Sequence, residues 1–185
     1  MKIRVLIPLI IFLLLGILLW RGLHLDPHYV PSVLIDKPVP TFHLPDITRA
    51  NTHFSDSDLK QRVSILNVWA SWCHACEYEH PVLLQIAKTS NIPIYGLDYK
   101  DDLQAAQHWL QQRGNPYQKV GFDGQGKVAI DFGVYGAPET FLIDQDGIIR
   151  YKHIGPLSLT IWQQTFMPLI QQLQSMPPTS NRSKS

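Results

Sequence analysis

Residues 63–69 (VSILNVW) form a nearly continuous apolar run, the pattern of a strand covered on both faces. Helix-compatible sequence follows from Cys73 to about Lys88, and Ile92 to Leu97 reads as a second strand. Asp101 or Asp102 can cap a further helix in which Leu103, Ala106 and Leu110 share one face and which Gly114 ends. Two more strands, Thr140 to Ile143 and Ile148 to Tyr151, flank Asp144-Gln-Asp-Gly147, a hairpin signal. Trp162, Phe166, Leu169 and Leu173 make the apolar stripe of a last helix, which Pro168 should bend or break. Helices alternating with buried strands, then a terminal hairpin, predict an α/β fold with a mixed sheet between helices.

The chain has only two cysteines, Cys73 and Cys76, so a disulfide-rich scaffold is excluded. As a structural staple the pair is poor: a four-residue loop contributes about 2 kcal/mol in the chain-entropy model, against ~3 for fifteen residues. As a zinc site, Cys73, Cys76 and His80 supply at most three of four ligands. As a haem attachment site it lacks the required histidine, because Glu77 follows Cys76. Placement favours redox chemistry. Cys73 stands where a buried strand gives way to a helix, so its sulfur faces unpaired backbone N–H groups and the positive end of the helix dipole. That stabilises a thiolate. Cys76, one turn further in, can attack the resulting mixed disulfide.

The ends of the chain differ from this middle. Sixteen Lys and Arg against fifteen Asp and Glu leave a net charge of +1, which argues against nucleic-acid binding. Within the first 22 residues the only charged side chains are Lys2, Arg4 and Arg21, so the remainder carries −2. Between Arg4 and Arg21 run sixteen uncharged residues, Val5 to Trp20, roughly 24 Å as a helix against a ~30 Å hydrocarbon core. Arg4 and Arg21 can snorkel from its two ends, and no small-x-small cleavage site follows. Residues 1–22 are therefore expected to be an uncleaved single-pass anchor with a cytoplasmic N-terminus. Prolines 27, 31, 38 and 40 mark an extended spacer. The expected organisation is an anchor over 1–22, a linker over 23–34, a catalytic domain over 35–176 and a frayed tail over 177–185.

Trp69-Ala-Ser-Trp-Cys-x-x-Cys76 resembles the active-site frame of thioredoxin-fold proteins, Pro81 matches the proline of their active-site helix, and Pro138 matches their cis-proline. More narrowly, Asp98-Tyr-Lys-Asp-Asp102, Gly114-Asn-Pro-Tyr117 and Gly133-Val-Tyr-Gly-Ala-Pro-Glu-Thr140 are similar to the DsbE/CcmG group. These are membrane-anchored periplasmic thiol-disulfide proteins of cytochrome c maturation. The resemblance implies a reductant of the apocytochrome c disulfide, or of a mixed disulfide with a maturation partner. Cys73 would attack and Cys76 resolve. Electrons would come from a membrane thiol reductase of the DsbD type, with no soluble cofactor and no metal. On the residues alone, a general oxidant or isomerase stays open, as does a metal-delivery module holding copper or zinc through Cys73 and Cys76.

Further residues gain expectations from that resemblance. Glu79, three residues past Cys76, matches an acid of the group and could accept the Cys76 proton. Asn67 stands where thioredoxin itself has a buried acid, and it is expected to be a hydrogen-bonded core polar group. Ala137 and Pro138, with a cis bond between them, would offer backbone to an extended substrate strand. Trp72 could pack on substrate, and Glu139 either faces the groove or ends a strand. His74 replaces the group's usual proline, and its protonated form would favour the Cys73 thiolate.

Overall fold

The computed structural model describes residues 3–23 and 34–175, with the side chains of residues 7–21 described in the first helix. Residues 24–33 of the linker expected over 23–34, and the tail expected over 177–185, lie outside the described residues. The chain divides into two units, Met1–Pro31 and Ser32–Ser185.

The first unit holds helix α1 (Ile3–Leu23), with Pro8 in its opening turns. Every described side chain from residue 7 to 21 is exposed, Phe12, Leu18 and Trp20 by about two thirds or more. Those fifteen residues rise only roughly 22 Å. Among the described residues, no helix is long and apolar enough to cross a membrane. The anchor expected over 1–22 does not follow from this helix alone.

The second unit is built on a five-stranded sheet. Its strands are β3 (Ser64–Trp69), β4 (Ile94–Tyr99), β5 (Val120–Asp123), β6 (Glu139–Ile143) and β7 (Ile149–Ile154), in the order β5-β4-β3-β6-β7. β3 pairs in parallel with β4 and antiparallel with β6, so the sheet is mixed. All six residues of β3 are buried, as its nearly continuous apolar run predicts, with Ser64 and Asn67 the polar exceptions. Alternate residues feed two cores: Ile65 and Trp69 face one with Leu83, Ile86, Trp109 and Phe166, while Leu66 and Val68 face the other with Phe54, Phe132 and Phe141.

Helices α2 (His74–Thr89) and α3 (Leu103–Arg113) follow β3 and β4. Asp102 is the N-cap of α3, its Oδ1 accepting from Gln104 and Ala105 N–H, and Gly114 at φ 87° ends it. The β6–β7 hairpin closes through Asp144, whose Oδ1 accepts from the N–H groups of Asp146 and Ile148, with Gly147 at φ 77°.

Three features depart from the expectations above, and a fourth, the break in the last helix, is as expected from Pro168. An antiparallel pair, β1 (His43–Pro45) and β2 (His53–Ser55), precedes the main sheet. Strand β5 and the short helix α4 (Lys127–Asp131) lie between α3 and β6, in a stretch without a strong periodic signal. Residues 36–39 pack on the domain instead of spacing it: Asp36 N–H donates to Ile149 O and Val39 N–H to Gly147 O, both at 2.8 Å. The last helix is divided into α5 (Leu159–Ile161), a π-turn (Trp162–Phe166) and α6 (Met167–Ser175). Pro168 explains the break, because it brings no N–H and its ring crowds the preceding turn.

Candidate redox site

The turn after β3 sets the site. Ala70, Ser71 and Trp72 lead to Cys73, the N-cap of α2, whose Sγ accepts the Cys76 N–H at 3.1 Å. Sulfur thus occupies the place a serine or aspartate oxygen takes at ordinary helix starts. Cys73 and Cys76 are joined as a disulfide and retain 4% and 1% of their surface. The turn itself is held from β4's end. Asp101 accepts the Ser71 hydroxyl at 2.7 Å and also its backbone N–H. Trp72, 57% exposed, donates its indole N–H to Lys100 O at 2.9 Å. Lys100 sits at φ 49°, a left-handed turn that directs this carbonyl outward.

Behind the cysteines lies a buried polar group. Glu79 is 1% exposed, its Oε1 accepting from Asn67 Nδ2 at 2.9 Å and its Oε2 from Leu157 N–H at 2.8 Å. Burial pushes its carboxyl up to about 7, against the opposing pull of those two donors. Asn67 is fully buried, donates also to Thr140 Oγ1 at 3.1 Å and accepts from the Tyr117 hydroxyl at 2.8 Å. The core polar role expected of it is what the strand provides.

The Ala137–Pro138 bond is cis, and Ala137 packs against the same apolar cluster as Cys73, Cys76 and Leu157. Pro138 O accepts from Gly155 N–H at 2.9 Å. Glu139 is turned inward, 1% exposed. Its Oε2 lies 2.8 Å from Lys152 Nζ and its Oε1 accepts from Tyr135 N–H at 2.9 Å. His74 is exposed and directed along its own helix, with Tyr78 Oη 3.0 Å from Nε2 and Glu77 Oε2 3.4 Å from Nδ1.

Several participants carried no local sequence signal of their roles. Asp98, fully buried on β4, has no donor to either oxygen among the described residues, and its carboxyl is pushed up to about 9 by burial and then by Asp101, Asp123 and Asp102. Asp98, Asp101, Thr140 and Tyr117 were marked only as parts of motifs, Asp101 also as a possible helix cap, while Leu157 and Lys152 were unmarked. Among the described residues, no group of three or more His, Cys, Asp or Glu side chains is placed to hold a metal ion.

A mixed sheet with helices packed on it, a Cys-x-x-Cys at the start of α2 and a cis-proline leading into β6, whose Glu139 pairs with Val68 near the end of β3, define a thioredoxin-like thiol:disulfide oxidoreductase. Comparison with known proteins narrows this class. The Redoxin family matches residues 35–164. The thiol:disulfide interchange protein DsbE of Pseudomonas aeruginosa is 45% identical, over 93% of this chain and 95% of its own length. That of Escherichia coli K12 is 46% identical, over 89% and 91%. Among solved structures, a DsbE-type protein from Chlorobium tepidum superposes with a TM-score of 0.60 at 28% identity, over 71% of this chain and 95% of its own. A secreted thiol-disulfide isomerase from Corynebacterium glutamicum shares the fold, with a TM-score of 0.65 at 20% identity over 80% and 96%. The chain belongs to the Redoxin family, in its DsbE group of thiol:disulfide interchange proteins.

Proposed function

We propose that this oxidoreductase reduces the disulfide of apocytochrome c, or one linking it to a maturation partner, at the periplasmic face of the inner membrane. The substrate in this reading rests on the similarity to DsbE proteins, and the exchange chemistry on the acid behind the pair: Glu79, three residues past Cys76, is buried and has a carboxyl pushed up to about 7. In the reduced protein, the Cys73 thiolate attacks one sulfur of the substrate disulfide, and the other leaves as a thiolate. Cys76 gives its proton to the Glu79 carboxylate and attacks Cys73 Sγ. The second substrate thiolate departs, so two electrons pass to the substrate and Cys73–Cys76 is left oxidised. A membrane thiol reductase of the DsbD type returns the electrons.

Trp72, with an exposed indole, and Ala137–Pro138 form the face an extended substrate strand meets. Glu139 acts from behind, holding Tyr135 and Lys152 and so shaping the segment that ends in Pro138. The proposed organisation keeps the anchor at 1–22, linker at 23–34, domain at 35–176 and tail at 177–185. The anchor is supported by the unbroken exposed apolar surface of α1 and its flanking Arg4 and Arg21.

Alkylation of free thiols in intact cells tests direction. Cys73 and Cys76 are expected to be mostly reduced while the reductase is intact and to become oxidised when it is removed. Mostly oxidised cysteines with an intact reductase would overturn the reductant reading in favour of an oxidant or isomerase. Membrane fractionation of the full chain tests the anchor, which recovery in the soluble periplasmic fraction would refute.

A further inference from the structure

Gly114-Asn-Pro-Tyr117 takes no direct part in the exchange just described, yet the fold gives it a defined place. Asn115 Oδ1 accepts the Tyr117 N–H at 2.9 Å, which closes the turn after α3. The Tyr117 ring then lies across β4 at Gly96, where an added Cβ would come within 3.1 Å of ring carbons and 2.9 Å of Trp69 Nε1. It stacks on Trp69 with centroids 5.8 Å apart and planes 19° from parallel. Its hydroxyl ends 2.8 Å from Asn67 Oδ1.

A phenol has one proton to donate, and here Asn67 Oδ1 receives it. That choice orients the amide. With its oxygen turned to Tyr117, its two N–H bonds face Thr140 Oγ1 and Glu79 Oε1. The reverse orientation would set the amide oxygen against Glu79, and two oxygens can bond there only if the carboxyl holds a proton. We propose that Tyr117 is a positioning residue for the exchange reaction: by committing its proton to Asn67 it keeps the amide a donor toward Glu79, which favours the carboxylate that receives the Cys76 proton. The inference rests on the proposed role of Glu79 as that acceptor.

The surroundings leave this donor large leverage. Burial drives Glu79 toward its neutral form, and only the Leu157 N–H and the Asn67 amide oppose it. On its own helix its ionisable neighbours are Cys76 and His80, whose Nε2 lies 3.0 Å from Gly114 O. From β3 and β6 come the neutral side chains of Asn67 and Thr140. From the segment after α3 comes Tyr117, whose own ionisation is pushed well up by burial, Glu79 and Asp98, so its proton stays in place across the working range.

The test is the pH profile, from 5 to 9, for reduction of a peptide disulfide by the full-length reduced protein, in wild type, Tyr117→Phe, Glu79→Gln and the double variant. Phenylalanine keeps the ring and its stack on Trp69. The wild-type profile should show an inflection from Glu79, and Tyr117→Phe should move it upward by half a pH unit or more. Glu79→Gln should remove the inflection, and Tyr117→Phe should then cause no further shift. The infrared carboxyl band that Glu79→Gln abolishes should titrate at higher pH in Tyr117→Phe, a reading independent of activity. An unmoved inflection and band in Tyr117→Phe, with both lost in Glu79→Gln, would overturn the role of Tyr117 and leave that of Glu79 standing. An inflection that survives Glu79→Gln would overturn the Glu79 reading itself, and the inference with it.

Discussion

Asp101 binds both polar groups of Ser71: the hydroxyl donates to Oδ1 at 2.7 Å and the backbone N–H donates to Oδ2. Through this pair the turn after β4 holds the turn after β3, and the held turn delivers Trp72 and Cys73. Two loops far apart in sequence thereby act as one support for the sulfur. Asp102, the next residue, has the separate task of capping α3.

Asp101→Ala should therefore slow exchange more than it unfolds the protein. Losing the two hydrogen bonds from Ser71 and the one from Asp102 N–H at a partly buried site costs about 1–3 kcal/mol. Misplacing Cys73 should lower the second-order rate of disulfide reduction on the order of tenfold or more. Rates and urea midpoints measured side by side check this; an unchanged rate in a destabilised variant would show that the clamp does not position the sulfur.

Asp98 gives a prediction about stability and pH. Its folded carboxyl is raised from 3.8 to about 9, so between those values the folded protein holds a proton that the unfolded chain has released. Stability contributed in this way is fully present at low pH and is lost as pH rises toward 9. The nearby charges of Asp101, Asp123 and Asp102 act in the same direction as burial, because they oppose a further negative charge on Asp98. Asp98→Asn should be stabilising relative to wild type at pH 8 compared with pH 5, by on the order of several kcal/mol. Chemical denaturation at the two pH values measures it, and equal differences at both would refute it.

Glu79→Gln should separate the two chemical steps. Removing a positioned proton acceptor costs about a hundredfold or more in the step it serves. Attack by Cys73 should be nearly unchanged, while the mixed disulfide with substrate accumulates because Cys76 resolves it slowly. Mass spectrometry of acid-quenched reactions would detect the adduct; resolution at the wild-type rate would count against the assignment. The same raised carboxyl predicts that wild-type stability declines from about pH 4.5 to 7, and that Glu79→Gln flattens this part of the curve.

Lys152 and Glu139 form a buried ion pair at 2.8 Å, with side chains 2% and 1% exposed. Lys152 Nζ also donates to Gly133 O at 2.7 Å and lies 4.5 Å from the centre of the Tyr135 ring. Lys152→Met should cost about 3–5 kcal/mol, because it strands a buried carboxylate. The double change with Glu139→Gln should cost less than Lys152→Met alone. Guanidinium unfolding of the single and double variants decides the point, and a double loss equal to or above the single loss would refute the coupling.

Much of this architecture was legible along the chain. The strand from Val63 to Trp69, the cap and stop of α3 at Asp102 and Gly114, and the Asp144–Gly147 turn all came from signals within a few residues. The cis bond before Pro138 followed from resemblance to thioredoxin-fold proteins. Residues 43–55, 120–123 and 127–131 were less readable. Their elements are three to five residues long, too short to show periodicity, and they form because the remaining surfaces need cover. The division of the last helix at Trp162–Phe166 was anticipated in kind, from Pro168, though not as a π-turn.

What the sequence by itself determined is where the sulfur stands: after a buried strand, at the first turn of a helix, one turn ahead of its partner. Strand pattern, helix periodicity and capping act between near neighbours, so they are written locally. What only the tertiary structure decided is the protonation of the groups behind that sulfur. Glu79 meets Leu157 across 78 residues and Asn67 across 12, and Asn67 meets Tyr117 across 50. A carboxyl's affinity for a proton depends on how far water is excluded and on which donors reach it. Both are set by residues that come together only when the sheet closes.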